Sequence, residues 1–307
     1  MAPKQTPGMS EEKRTKAQRA AERQEKARLL REQEAARKRR NKIIIVVACV
    51  LALALVTFIV VKLVSGSGKA AGDAGSYDGP AKPAQLANVG EDFGVTVDAA
   101  GAAVTVRDEA LAQVGVYSNS TCPHCMQLES AVDKVVNQHM QDGSVQFTFY
   151  PLATDPVGCS NQSNWATAAD FYIATYAPEQ FAAFHEQLMN AEDGVYAQIP
   201  EKQQNGQQVK GYCGADDPVQ PADLAAFAER VGVPADVVKS LPASVMAADW
   251  QKVAKDATDA FLANTNVCSA DSCGTPTVTL DGKVVDSATY GGMDSAGFDA
   301  WLKGLAR

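Results

Sequence analysis

Val114-Gly115-Val116-Tyr117-Ser118-Asn119-Ser120-Thr121-Cys122-Pro123-His124-Cys125 is the stretch on which the fold turns. Residues 114–118 form a short run suited to a buried strand, and it leads directly into two cysteines. Beyond them, Met126, Leu128, Ala131, Val132, Val135 and Val136 recur at helical spacing, which predicts a helix over 123–140. Asp142-Gly143 stops that helix, and Val145–Tyr150 reads as the next strand, closed by Pro151. The chain therefore offers a strand–helix–strand unit with a cysteine pair at the strand-to-helix corner.

That corner carries chemistry. Two cysteines two residues apart, the first at a helix N-terminus, can close a small disulfide ring. The helix start supplies unpaired N–H groups and the positive end of the macrodipole, and both stabilise a thiolate. Pro123 suits the first turn because its missing N–H would have been unpaired there. His124 adds a potential cation or donor beside the sulfur. These features predict a depressed pKa for Cys122, and a stabilised reduced form makes its disulfide an oxidant. A structural disulfide and a zinc site are the bland readings. Zinc needs a second ligand pair, which Cys268 and Cys273 could supply, but a metal-free redox pair is the expectation.

Outward from the corner, 94–97 and 103–106 are two β-rich runs around Asp98-Ala99-Ala100-Gly101, a candidate hairpin. Residues 152–265 read as a helical block, with helices at 164–176, 178–190, 221–231, 235–241 and 245–263 and a polar loop at 201–211. Strands return at 277–280 and 283–285 around the tight turn Asp281-Gly282, and an amphipathic helix covers 294–305. Trp165, Phe171, Phe181 and Phe184 fall at core spacing. His139 and His185 read as surface or satisfied core groups, and Glu129 as a solvated carboxylate by default. No phosphate loop, hydrolase elbow or paired-carboxylate arrangement is present.

The N-terminal part differs in character. The net charge of −8 hides a split: residues 1–42 hold 14 of the 28 basic and 6 of the 36 acidic residues, a balance of +8. The other 14 basic and 30 acidic residues leave −16 on the remainder. A basic arm can bind nucleic acid, but here Ile43–Val61 follows it at once, nineteen residues with only Cys49 and Thr57 even mildly polar. About 20 apolar residues cross a bilayer, whereas a signal-peptide core is shorter. Residues 43–64 are expected to anchor the chain, with a cleaved signal as competitor. Arg37, Arg39, Arg40 and Lys42 keep the N-terminal side cytoplasmic by the positive-inside rule. The expected organisation is a cytoplasmic arm (1–42), a single-pass anchor (43–64), a Gly/Ala/Ser/Pro linker (65–89) and an extracytoplasmic domain (90–307). Six of seven cysteines then lie on the oxidising side, in keeping with disulfides.

Cys122-Pro123-His124-Cys125 after a β-run, a long helical insertion, and Gly274-Thr275-Pro276-Thr277 opening a strand toward Asp281-Gly282-Lys283 together resemble the DsbA family of the thioredoxin superfamily. The tethered, Ala-rich form resembles members from high-GC Gram-positive bacteria. The resemblance covers residues 90–307 and implies an α/β thioredoxin-like fold with an inserted helical domain. It implies that Cys122 attacks, Cys125 resolves, Pro276 is a cis-proline and the Thr275 backbone pairs with an extended substrate. A trans Pro276 that merely starts an edge strand is the alternative. The implied activity is dithiol oxidation of exported proteins with reduced cysteines, without organic cofactor, and with a membrane re-oxidant resembling DsbB or a vitamin K epoxide reductase homologue. A reductase or isomerase and a non-catalytic chaperone are the rivals. Four further cysteines allow three pairings. Cys159–Cys213 stapling the insertion and Cys268–Cys273 before the proline turn are the preferred set.

Overall fold

The computed structural model describes residues 86–154, 158–204, 207–210, 217–269 and 273–305. The expected arm and anchor lie outside the described residues, as do 65–85 of the expected linker. Among the described residues no helix is long and apolar enough to cross a membrane.

The frame is a six-stranded mixed sheet. Its strands are β1 (Val95–Val97), β2 (Ala103–Val104), β3 (Ala112–Ser118), β4 (Val145–Pro151), β7 (Thr277–Leu280) and β8 (Lys283–Val284), in the order β2-β1-β4-β3-β7-β8. β3 and β4 pair in parallel from Ala112↔Val145 to Ser118↔Pro151, and β7 runs antiparallel to β3. Val114 and Val116 of β3 and Val145, Phe147 and Phe149 of β4 bury one face of the central strands, while Tyr117, Thr148 and Tyr150 alternate onto the other, also buried, face.

Helix α1 (Pro123–Asp142) makes the crossover from β3 to β4. Leu128 and Val132, four residues apart, bury one face, and Gly143 ends the helix in the left-handed region at φ 66°. The N–H groups of Gly143 and Ser144 reach back to the carbonyls of Met140 and His139, each at 3.2 Å, and end the helix where Asp142-Gly143 predicted.

Between β4 and β7 lies the helical insertion: α2 (Ser160–Tyr176), α3 (Phe181–Met189), α4 (Pro221–Arg230), α5 (Ala235–Met246) and α6 (Ala248–Ala263). α2 is buried nearly all round, with Ala166, Ala169, Phe171, Ile173 and Ala174 fully buried and Gln162, Thr167 and Asp170 buried among them, as suits a helix enclosed by α5 and α6. α5 runs past Leu241 to Met246 with Pro242 inside it, where the sequence suggested a stop. Proline removes one N–H and disfavours a helix interior, yet the burial of Leu241 and Val245 on one face holds the segment helical. The polar stretch expected as a loop at 201–211 instead contains a hairpin, β5 (Glu201–Gln204) and β6 (Gln207–Lys210). α7 (Ser295–Leu305) closes the fold against α1 through Phe298 and Leu302.

Leu86 and Val89, placed in the expected linker, are buried in the main core. The folded unit therefore begins earlier than residue 90.

Candidate active site

The site grows from the C-terminal end of β3. Asn119 leaves the strand and folds its side chain inward: Oδ1 accepts from the N–H and hydroxyl of Thr121, at 2.7 and 2.8 Å. Its Nδ2 donates to the Ser163 hydroxyl at 2.9 Å and to Thr154. This fully buried amide ties the β3–α1 corner to the start of the insertion. The Cys122 N–H donates to the Asn119 carbonyl at 2.9 Å, which sets the entry into α1.

Cys122 is the N-cap residue of α1, with extended φ −88° and ψ 121°, and Pro123 occupies the first helical position. No acidic residue sits in the first turn to offset the dipole. Both cysteines are free thiols. Cys122 is only 3 % exposed and Cys125 is fully buried, while His124 is exposed.

Opposite them comes β7. Pairing of Tyr117 with Thr277 brings the residues before Thr277 alongside the end of β3. The Thr275–Pro276 peptide bond is cis, and the Cys122 thiol donates to the Thr275 carbonyl at 3.5 Å. Cys122, Cys125, Thr275 and Pro276, 153 positions apart across the Cys122–Thr275 contact, are thus one site.

The two sulfurs are pushed in opposite directions. The Cys122 thiol falls to about 6, first because the Cys125 thiol hydrogen-bonds to it. The Thr275 hydroxyl and the backbone N–H groups of Cys125 and His124 add to this, outweighing an opposing desolvation. No side chain caps the helix start in strict hydrogen-bond geometry, so these N–H groups act on the sulfur largely as oriented dipoles. Cys125 is pushed far up, first by burial and then by the hydrogen bond and charge of Cys122. One sulfur is an anion at neutral pH and the other keeps its proton.

Sequence reasoning missed the other wall. Met189, at the end of α3, shares a small buried cluster with the two cysteines, and its carbonyl accepts from the Ser130 hydroxyl at 3.0 Å. The Tyr196 phenol is raised by burial and then by negative charge at Cys122, which puts it within electrostatic reach of the sulfur. A lone methionine and a tyrosine in a turn carry no sequence signal. The polar run Asn119-Ser120-Thr121 before a cysteine could have flagged Asn119.

Glu129 departs from its solvated default. Its side chain is 12 % exposed and one oxygen lies 3.1 Å from Nε2 of His185, without the angle of a hydrogen bond. Nδ1 of His185 faces Asp170 at 3.1 Å. Burial alone would lower the imidazole, but the charges of Asp170 and Glu129 together push it up to about 10. His139 is also a satisfied core group, between the Ser144 hydroxyl at 2.7 Å and Asp299 at 2.9 Å.

Cys268 and Cys273 form a disulfide with Cα atoms 4.2 Å apart, and Cys268 belongs to a buried cluster with Tyr117, Tyr150 and Phe261. Cys159 is disulfide-bonded, and Cys213 lies outside the described residues. Among the described residues no His, Cys, Asp and Glu cluster could hold a metal ion.

A free cysteine pair at a β–α corner, faced by a cis-proline strand on a mixed sheet, defines a thioredoxin-fold dithiol protein. Residues 107–296 match the family model described as Thioredoxin, and the chain belongs to the thioredoxin family. The motif order that resembled the DsbA family is present as architecture: cysteine pair, helical insertion, proline-led strand. Among solved structures the chain is similar to MdbA, a thiol-disulfide oxidoreductase from Actinomyces oris, at 22 % identity and TM-score 0.52, covering 71 % of this chain and 92 % of that one. It is also similar to BdbD from Bacillus subtilis, at 17 % identity and TM-score 0.48, covering 69 % and 92 %. The MdbA protein from Corynebacterium diphtheriae gives 19 % identity and TM-score 0.46, covering 69 % and 93 %. No match was found among the curated proteins.

Proposed function

We propose that this chain is a membrane-tethered dithiol oxidase that introduces disulfides into exported proteins through Cys122 and Cys125. The observation that carries the reading is the unequal pair of sulfurs, with the Cys122 thiol depressed to about 6. A dithiol stabilised in this way gives up its disulfide readily.

In the oxidised protein a client thiolate attacks Sγ of Cys122. The client–Cys122 bond forms, the Cys122–Cys125 bond breaks, and Cys125 leaves and takes a proton. A second client thiolate then attacks the client sulfur of the mixed disulfide and expels Cys122 as a thiolate. The client loses two electrons and the enzyme pair gains them. Thr275, on the strand facing Cys122, offers main chain to an extended client segment, so recognition rests on backbone more than on side chains. His124, exposed beside the sulfur, and Pro123, fixing the first turn, complete the proposed catalytic group.

Turnover needs re-oxidation of the reduced pair. A quinone-linked membrane protein resembling DsbB or a vitamin K epoxide reductase homologue is the proposed partner. The organisation read from sequence supports that setting. A cytoplasmic arm (1–42), an anchor (43–64) and a linker (65–89) would hold the domain near the outer membrane face at raised effective concentration.

Refolding of reduced, denatured ribonuclease tests the reading. The oxidised full-length chain restores ribonuclease activity with one disulfide transferred per enzyme, and Cys122→Ser does not. Retained activity in Cys122→Ser identifies a chaperone instead. A potential near about −270 mV identifies a reductase.

A further inference from the structure

The Cys268–Cys273 disulfide joins two parts of the chain that are held very differently. Cys268 is fixed. The chain folds back after α6, where the N–H groups of Val267 and Cys268 both donate to the Asn264 carbonyl, at 3.0 and 2.8 Å. Cys268 is 9 % exposed and belongs to a buried cluster with Tyr117, Tyr150, Leu152, Phe261 and Val267. In that cluster Tyr117 stacks on Tyr150 with ring centroids 4.0 Å apart, so Cys268 is seated at the ends of the central strands β3 and β4.

Cys273 is the opposite case. It is exposed, as is Gly274, and a side chain placed on Gly274 would meet no described atom within 4 Å. The Thr277 hydroxyl donates to the Gly274 carbonyl at 2.7 Å and ties this stretch to β7, while the disulfide ties it to the core. Thr275 follows Cys273 by two positions. Its carbonyl lies 3.5 Å from the Cys122 sulfur, and its hydroxyl favours the thiolate there. Tyr117 shares the buried cluster with Cys268 and pairs with Thr277, so both ends of the bridge meet at the end of β3 that leads into Cys122.

We infer that the Cys268–Cys273 disulfide positions the active site: it ties the main chain before Thr275 to the strand ends and so holds Thr275 against Cys122. The inference rests on the dithiol reading of Cys122. Loop-closure entropy, the general effect of a disulfide, acts on the unfolded chain and leaves the folded site as it was. Positioning acts on the folded site itself. Groups that work on a reacting atom need to be held within about 0.5 Å, and Cys273 and Gly274 have little packing of their own to supply that. Without the link Thr275 meets Cys122 for a smaller share of the time.

The test is the pH dependence of Cys122 alkylation by iodoacetamide in the full-length chain. One equivalent of dithiothreitol reduces the Cys122–Cys125 pair, and peptide mass mapping confirms that Cys268 and Cys273 stay joined in the wild type. Two variants cut the link: Cys268→Ala with Cys273→Ala, and Cys268→Val with Cys273→Ala, which keeps a larger apolar side chain in the buried cluster should the first not fold. The midpoint is expected to rise in both. Alkylation at about pH 5 should slow several-fold, up to the roughly tenfold that one unit implies. Cutting the link in a Thr275→Val background should add little, because both changes remove the same contact. Val245→Ala, a core change in α5 of the insertion, lowers stability and should leave the midpoint in place. An unmoved midpoint in the folded link variants, a rise of equal size with Thr275→Val present, or the same rise in Val245→Ala shows that the disulfide is a staple alone. The wild-type midpoint tests the dithiol reading and the difference between variants tests the link, so the two failures are distinguishable.

Discussion

The carbonyl oxygen of Thr275 lies 3.5 Å from the sulfur of Cys122. The contact joins the start of the active-site helix to the strand that runs antiparallel to β3, so the thiol is held between a helix terminus and a main-chain edge. The Thr275 hydroxyl also favours the thiolate at both sulfurs.

Thr275→Val removes that hydroxyl and keeps the shape. A hydrogen bond to a charged group contributes about 1.5 kcal/mol, so the Cys122 midpoint should rise by about one unit. The pH dependence of iodoacetamide alkylation reads it. An unmoved midpoint would show that the hydroxyl does not reach the sulfur.

Cys125 is the largest cause of the low Cys122 value, so Cys125→Ala should raise it further than Thr275→Val does. The same variant should form a stable mixed disulfide with oxidised glutathione at Cys122, and Cys122→Ser should form none. Intact mass spectrometry separates the two.

Much of this site was legible beforehand because local chemistry determines it. A β-run, a proline at the first helical position and a spacing of three fix where Cys122 and Cys125 sit, and Thr275-Pro276 could be placed opposite by resemblance. Glu129 was misjudged because helix periodicity gives the direction of a side chain along its own helix, not what packs over it. α3 covers that face and brings His185 to it. The hairpin at 201–210 was hidden because its strands are polar apart from Val209, with no alternation to betray pairing. Met189 reaches the sulfurs only through the tertiary placement of α3.

His185 is raised above its ordinary 6.5 to about 10 by the carboxylates of Asp170 and Glu129. Such a group adds stability that is fully present below the unfolded value and lost as pH rises through the folded one. The stability difference between wild type and His185→Gln, from urea denaturation, should therefore shrink between about pH 6.5 and 10. Near neutrality, breaking the buried pair should cost about 3–5 kcal/mol. A pH-independent difference would contradict the charged assignment.

The Cys268–Cys273 disulfide closes a loop with a sequence separation of five. Loop-closure entropy for so short a ring is about 2 kcal/mol. Replacing both with alanine should lower stability by about that amount and loosen Cys268 from Tyr117 and Phe261. Urea midpoints of the oxidised proteins measure the loss.

The most direct test is the ionisation of Cys122 itself. Thiolate absorbance at about 240 nm, followed through a pH titration of the reduced full-length chain with Cys122→Ser as blank, should show one midpoint near 6. A midpoint at the ordinary thiol value of about 8.5 would contradict the account, since nothing would then favour release of the disulfide.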